Sequence, residues 1–295
     1  MPLHALSATL APTPPFDFNQ ALRFVERFHP RRAEPGLTAH SITRAVRAAG
    51  RTVVFAVEST GTVKAPALAY TLYAAEPITP ELQAAAAERL AFYLSLDDNL
   101  RPFYALAHDD PPFLPVVDAL YGYHQVKFLT PFENAVWAIL SQRNQWPNAQ
   151  RMASALVERY GSRLSVNGED YWAYPEPAVL AHANPDEVAG TIRHRPKGAQ
   201  VVAVAQAFAT ADEHFLRTAP YAEVEAWLLK IPGIGPWSAS FILLRGLGRT
   251  ERLPVGDRFV QAGFDRFYGP ASLPERAAHY GEWQGYWGHY LRAVE

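Results

Sequence analysis

The chain has 295 residues, 49% of them hydrophobic and 13% aromatic, enough for two or three compact units with real cores. It has no cysteine, which excludes disulfides, thiolate metal sites, iron–sulfur clusters and cysteine nucleophiles. The formal net charge is −2, and neither the first 120 residues nor the remainder is in basic excess, so no basic domain exists and any nucleic-acid contact must rest on a local patch and on backbone amides.

The start, Met1-Pro-Leu-His-Ala-Leu, has no basic run followed by an apolar one, and no stretch reaches the roughly 18 apolar residues of a membrane helix. The expectation is a soluble, cytoplasmic chain. After a Pro-rich entry (Pro12, Pro14, Pro15), Asn19 to Phe28 reads as a short amphipathic helix. Three strand-like runs follow, Ser41–Ala48, Thr52–Val57 and Leu68–Tyr73, punctuated by Gly50 and Gly61 as in an antiparallel meander. Leu68, Tyr70 and Leu72 alternate with small or polar residues, which predicts one buried face. Thr79-Pro80 starts a helix running through Leu94.

From about residue 100 the pattern is helical almost throughout. Thr130-Pro-Phe-Glu133 reads as a capping box with proline at the first helical position, opening a helix with Phe132, Val136, Ile139 and Leu140 on one face. Asn184-Pro-Asp-Glu187 repeats the start signal, and helices fit 198–210 and 221–230. The fold class expected is α+β, predominantly α, with an N-terminal antiparallel sheet over residues 1–96 and a two-lobed helical body over 97–295. One lobe would span about 130–250, and the other 97–129 with 251–295.

The most informative segment is Val224 to Arg245. Val224, Trp227, Leu228 and Ile231 mark one helical face, and Ala239, Ile242 and Leu243 another. Between them, Pro232-Gly233-Ile234-Gly235-Pro236 predicts a tight turn whose glycine amides are bare of side chains and can hold a phosphate without basic side chains. An ordinary helical hairpin with a Gly/Pro turn fits the same residues. Because the Gly-x-Gly follows a helix rather than a strand, a dinucleotide site is not indicated. Leu253-Pro-Val-Gly-Asp257 then delivers a carboxylate to the start of another helix, where it suits either an N-cap or chemistry.

The run from Ile231 to Gln261 resembles the hallmark of the helix–hairpin–helix Gly/Pro/Asp (HhH-GPD) DNA glycosylases, a Pro-Gly-(Ile/Val)-Gly hairpin joined to an Asp some 20 residues on. The resemblance extends to Pro131-Phe-Glu…Ala138-Ile-Leu-Ser-Gln142 and to Pro15-Phe-Asp-Phe18, as in the family's bacterial 3-methyladenine branch. It implies a monofunctional enzyme that flips an alkylated base out of damaged double-stranded DNA and hydrolyses its N-glycosidic bond, with Asp257 facing the positive charge that develops on the sugar. Members that cut the strand through a Schiff base place Lys two residues after the second hairpin glycine; here that residue is Trp237, which argues against lyase chemistry. By the same resemblance Trp237, Phe241, Phe24, Trp283 and Tyr286 are candidates for the base pocket, each of which also fits as core filler. Gly233, Ile234, Gly235, Gln142, Arg143 and Arg245 are candidates for contact with DNA.

Arg143 stands at the family's wedge position, and a solvated surface arginine fits it equally well. Arg193, His194, Arg195 and Lys197 form the densest basic cluster, which is either solvated or an edge that contacts phosphate. The family's hairpin can hold a structural cation on backbone carbonyls, here those of Lys230, Pro232 and Gly235. No cofactor, catalytic metal or membrane partner is implied, and a monomer is expected. A non-catalytic DNA-binding module and a bifunctional glycosylase/lyase for oxidised bases are the alternatives.

Overall fold

A computed structural model describes residues 3–31 and 34–294. The N-terminal part is a four-stranded antiparallel sheet in the order β1-β4-β3-β2, from β1 (His4–Leu10), β2 (Ser41–Ala48), β3 (Arg51–Ser59) and β4 (Leu68–Ala74). Phe55 stands opposite both Arg44 and Leu72, so the meander is in register. In β4 the alternation holds, with Leu68, Tyr70, Leu72 and Ala74 buried. The edge strand β1 is an element that the sequence reading lacked, because its side chains are mostly exposed and carry little pattern.

Helix α1 (Phe18–Arg27) is capped by Asp17, whose carboxylate accepts from Asn19 N. Helix α2 (Pro80–Leu94) packs on the sheet's inner face, and α3 (Arg101–His108) and α4 (Leu114–Ala119) join the same apolar core. The hairpin-bearing lobe is built from α5 (Pro131–Ser141), α6 (Trp146–Tyr160), α7 (Pro177–Ala181), α8 (Pro185–Ile192), α9 (Arg195–Thr210), α10 (Glu213–Thr218), α11 (Tyr221–Leu229) and α12 (Pro236–Phe241). Helix α9 begins at Arg195, before the expected Gly198, because His194 caps it through a hydrogen bond from Lys197 N. A second two-stranded sheet, β5 (Ser162–Val166) with β6 (Glu169–Ala173), closes on Asn167-Gly168, both with positive φ. That dipeptide is a strong hairpin signal which the sequence reading passed over. Leu164, Val166 and Ala173 cover the outer face of the N-terminal sheet against Ala45 and Val54.

After the hairpin lobe the chain returns to the first core. Helices α13 (Arg258–Tyr268), α14 (Leu273–His279) and α15 (Gln284–Ala293) pack with α3 and α4 in that core. The molecule therefore has two main apolar cores, and residues 247–257 form the second crossing between them. The first crossing, residues 120–130, contains buried Lys127 and ends in the cap of α5.

The capping box at α5 forms only in part. Thr130 Oγ1 accepts from Glu133 N at 3.1 Å, but the Glu133 carboxyl turns inward, 3.9 Å from Arg31 Nε. Burial pushes that carboxyl up to about 7, with Arg31 pulling the other way.

Candidate active site

The hairpin joins α11 to α12 as expected. Gly233 has φ +92°, a left-handed conformation that favours glycine, and a Cβ there would meet the Gln200 side chain at 2.8 Å. Gly235 faces open space. Among the described residues, no acceptor lies on the amides of Gly233, Gly235, Trp237 or Ser238. Gln142 Nε2 donates to Gly233 O at 2.8 Å and to Ser238 Oγ at 2.7 Å, so it clips the end of α5 to the turn. Ile234 is 5% exposed and packs in the hairpin lobe's core; its side chain is an anchor, not a DNA contact as expected.

The carbonyls of Lys230 and Pro232 take no hydrogen bond among the described residues, while Gly235 O accepts from Ala239 N. Two open carbonyls beside a third fit a weak structural cation. No cluster of three or more acidic or histidine side chains that could hold a metal exists among the described residues.

Asp257 caps α13. Its Oδ1 accepts from Phe259 N at 2.9 Å and Val260 N at 3.3 Å, and its Oδ2 accepts from Arg292 Nη1 at 2.6 Å. The cap and the ion pair together fix the carboxylate's orientation, and only 9% of the side chain is exposed. Val255 N donates to Ser240 Oγ at 3.1 Å, which ties the Asp257 loop to α12 and hence to the hairpin. In consequence Asp257 lines one recess with Trp237, Phe241, Arg245, His289 and Arg292. Trp237 and Phe241, one helical turn apart, stack with centroids 5.4 Å apart and planes within 7°. Trp237 is 38% exposed, so one ring face is open to a planar ligand.

The recess shares His289 and Arg292 with a cleft of about 420 Å³ bounded also by Phe24, Phe28, Tyr123 and Phe259. Exposed Arg23 and Arg27 stand at its mouth, which gives a chain of net charge −2 a local basic patch. Phe24 thus reaches the site, 5.6 Å from the His289 ring.

Two expected pocket residues do not. Tyr286 is 2% exposed and its hydroxyl donates to Asp98, while Trp283 packs on Phe103 and Tyr286; both belong to the first core. Helix α15, which carries Tyr286 and begins just after Trp283, turns His289 and Arg292 to the recess instead. A histidine and an arginine three apart beside an aromatic run hint at these two, but nothing in the pattern chooses among the helix faces. Arg245, expected to contact DNA, is a correction of another kind. It falls in the widened π turn Ile242–Gly246 that continues α12, is 2% exposed, and donates through Nη2 to Val126 O at 2.6 Å. It reaches the recess from inside and is no surface contact for phosphate.

The turn after α5 is exposed, and Arg143 adopts φ +47° at its tip. Lys197, expected as part of a surface cluster, is 7% exposed and its Nζ donates to Ile139 O, Leu140 O and Gln142 O at 2.7–2.8 Å. It caps the end of α5 and so steadies the platform that carries Gln142 and Arg143. Among the described residues no helix is long and apolar enough to cross a membrane.

Comparison with known proteins agrees with this arrangement. The family model of the HhH-GPD superfamily of base excision DNA repair proteins matches residues 136–282, from α5 to the start of α15. A DNA-3-methyladenine glycosylase of Bacillus subtilis is 27% identical over 210 residues, covering 68% of this chain and 69% of that protein. The solved 3-methyladenine DNA-glycosylase of Archaeoglobus fulgidus superposes with a TM-score of 0.80 over 97% of both chains at 18% identity. An 8-oxoguanine glycosylase/lyase of Clostridium acetobutylicum, solved with double-stranded DNA, gives 0.63 over 85% of this chain and 86% of its own, also at 18% identity. With the hairpin, the acid and the family model falling on the same stretch, the chain belongs to the HhH-GPD superfamily of base excision DNA repair proteins.

Proposed function

We propose that the chain is a monofunctional DNA glycosylase that extrudes an alkylated base from duplex DNA and hydrolyses its N-glycosidic bond. The observation that carries this is the shared recess: Asp257 faces the same space as the open Trp237–Phe241 stack, on a loop tied to the glycine hairpin. Cleavage puts positive charge on the deoxyribose, and a fixed carboxylate beside it stabilises that charge as it develops. Water supplies the oxygen that bonds to C1′, the C1′–N bond breaks, and its electron pair leaves with the base. Asp257 orients that water and takes its proton. The Trp237 face stacks on the extruded base, and alkylated purines that carry a positive charge gain most from such a face.

The bare amides of Gly233 and Gly235 grip the backbone phosphate near the flipped nucleotide, with Arg23 and Arg27 drawing the duplex to the cleft. Arg143, projecting from the clipped tip of α5, fills the vacated stack. A cation on the carbonyls of Lys230, Pro232 and Gly235 would only brace the turn. None of the residues lining the recess is a lysine, so no amine stands ready to form an imine with the sugar. We take residues 1–96 and 97–295 as the functional units, acting as a cytoplasmic monomer.

The test is incubation of the purified chain with duplexes that each carry a single lesion. The expected result is free base with an intact strand until alkali is added. Nicking without alkali, or a borohydride-trapped adduct, would show a lyase; no release from any lesion would leave only a DNA-binding module.

A further inference from the structure

On the glycosylase reading above, we infer that Arg245 reads the edge of the extruded base, selecting lesions that present a carbonyl oxygen over lesions that lack one. Arg245 lines the Asp257 recess although it is 2% exposed. Of its guanidinium nitrogens, Nη2 donates to Val126 O, while Nε and Nη1 are buried with no acceptor among the described residues. A buried cation with unfilled donors is costly, and packing alone does not account for it, since a methionine would occupy similar space.

The surroundings hold the group in place without satisfying it. Its Cζ lies 4.5 Å from the Phe24 ring centroid and 5.1 Å from that of Phe28. The nearest carboxylate in the recess, Asp257, is already committed to Arg292 and to two amides. Burial lowers the Arg245 pKa to about 10, which leaves it charged at neutral pH. His289 is neutral there, because burial first and then Arg245 and Arg292 hold its pKa well below the usual imidazole value. The wall of the recess, a space of about 10 Å³, therefore carries a permanent positive charge with buried, unfilled N–H donors.

Arginine donors pair with the O6 and N7 acceptors of guanine, and the same match is available to any purine with a carbonyl at position 6. Hypoxanthine offers that oxygen and is neutral. An adenine-derived lesion turns an amine or a substituted nitrogen toward the donors, and for a cationic one like-charge repulsion offsets part of what stacking on Trp237 gains. Stacking on Trp237 draws in extruded purines generally, alkylated or deaminated; Arg245 then ranks them by their edge.

The experiment uses duplexes with a single hypoxanthine or a single 1,N6-ethenoadenine, both neutral, under single-turnover conditions. Wild type is expected to release hypoxanthine at least about tenfold faster, and Arg245→Met to shrink that ratio by about tenfold or more, with Arg245→Lys between them. An unchanged ratio in a folded Arg245→Met, or a wild type that prefers ethenoadenine, overturns the proposal. Because the variants can fail to fold, free hypoxanthine and adenine are also titrated into wild type and followed by intrinsic fluorescence. Tighter binding of hypoxanthine supports Arg245 as the reader, and equal binding overturns it. Absence of release from every lesion would instead sink the glycosylase reading, and the free-base titration would still decide the role of Arg245.

Discussion

Two aromatic clusters in this chain have the same raw material and opposite uses. In the first core, Phe103, Phe113, Tyr280, Tyr286, Trp287 and Tyr290 meet mostly at tilted or edge-on angles, and each polar tip has a partner. Tyr268 and Tyr280 donate to Asp110, Tyr286 donates to Asp98, and Trp287 Nε1 donates to Tyr268 at 3.0 Å. In the recess, Trp237 and Phe241 lie parallel, and Trp237 keeps a face in solvent. Interlocked rings with satisfied tips serve structure; a ring pair that keeps one face open suits the proposed stacking on a base.

The largest effect expected from that contrast is on stability. Trp287→Ala removes a 0% exposed indole and should cost about 3–5 kcal/mol in urea denaturation. Trp237→Ala should leave the urea midpoint nearly unchanged and slow base release by about 10–100-fold, the worth of one stacked base. If Trp237→Ala unfolded the protein while Trp287→Ala spared it, the two clusters would have to exchange roles.

A third region sharpens the comparison through charge. The buried Glu133 carboxyl has a raised pKa, so the stability it confers is full below its unfolded value and is lost as pH rises through about 7. Glu133→Gln should remove a pH-dependent loss on the order of 1–2 kcal/mol between pH 5 and 8, read from chemical denaturation across that range. A wild-type curve that rises over the same interval would contradict the assignment. The smallest effect concerns the tip of α5. Arg143→Gly relieves a left-handed backbone and should stabilise the chain by about 0.5–1 kcal/mol while slowing base release. Faster release in that variant would remove Arg143 from the flipping step.

Much of this was legible in the sequence because local chemistry decides it. Thr79, Thr130 and Asn184 cap helices where the sequence placed them, and Pro232 to Pro236 turns as its glycines require. The acid at 257 comes to the hairpin because its loop folds back on α12, where Val255 N donates to Ser240 Oγ. What escaped depended on the far side of a contact. Tyr286 and His289 are three residues apart on one helix, and only the position of Asp98 and of α1 decides which of them meets the cleft. Arg245 reads as a surface cation in any window of sequence, and it becomes a buried one because the π turn rotates it inward. Lys197 likewise looked solvated until the open carbonyls at the end of α5 claimed its three protons. The strand β1, exposed along most of its length, had no pattern to betray it.

The central claim is that the Asp257 carboxylate acts on the sugar rather than only capping α13. Asn caps a helix as well as Asp does, so Asp257→Asn preserves the hydrogen bonds to the amides of Phe259 and Val260 while removing the negative charge. Single-turnover excision from a lesion-bearing duplex, measured beside the dissociation constant for the same duplex, separates the two roles. Base release should fall by at least about a hundredfold with DNA binding retained. Release at the wild-type rate from a folded Asp257→Asn would contradict it.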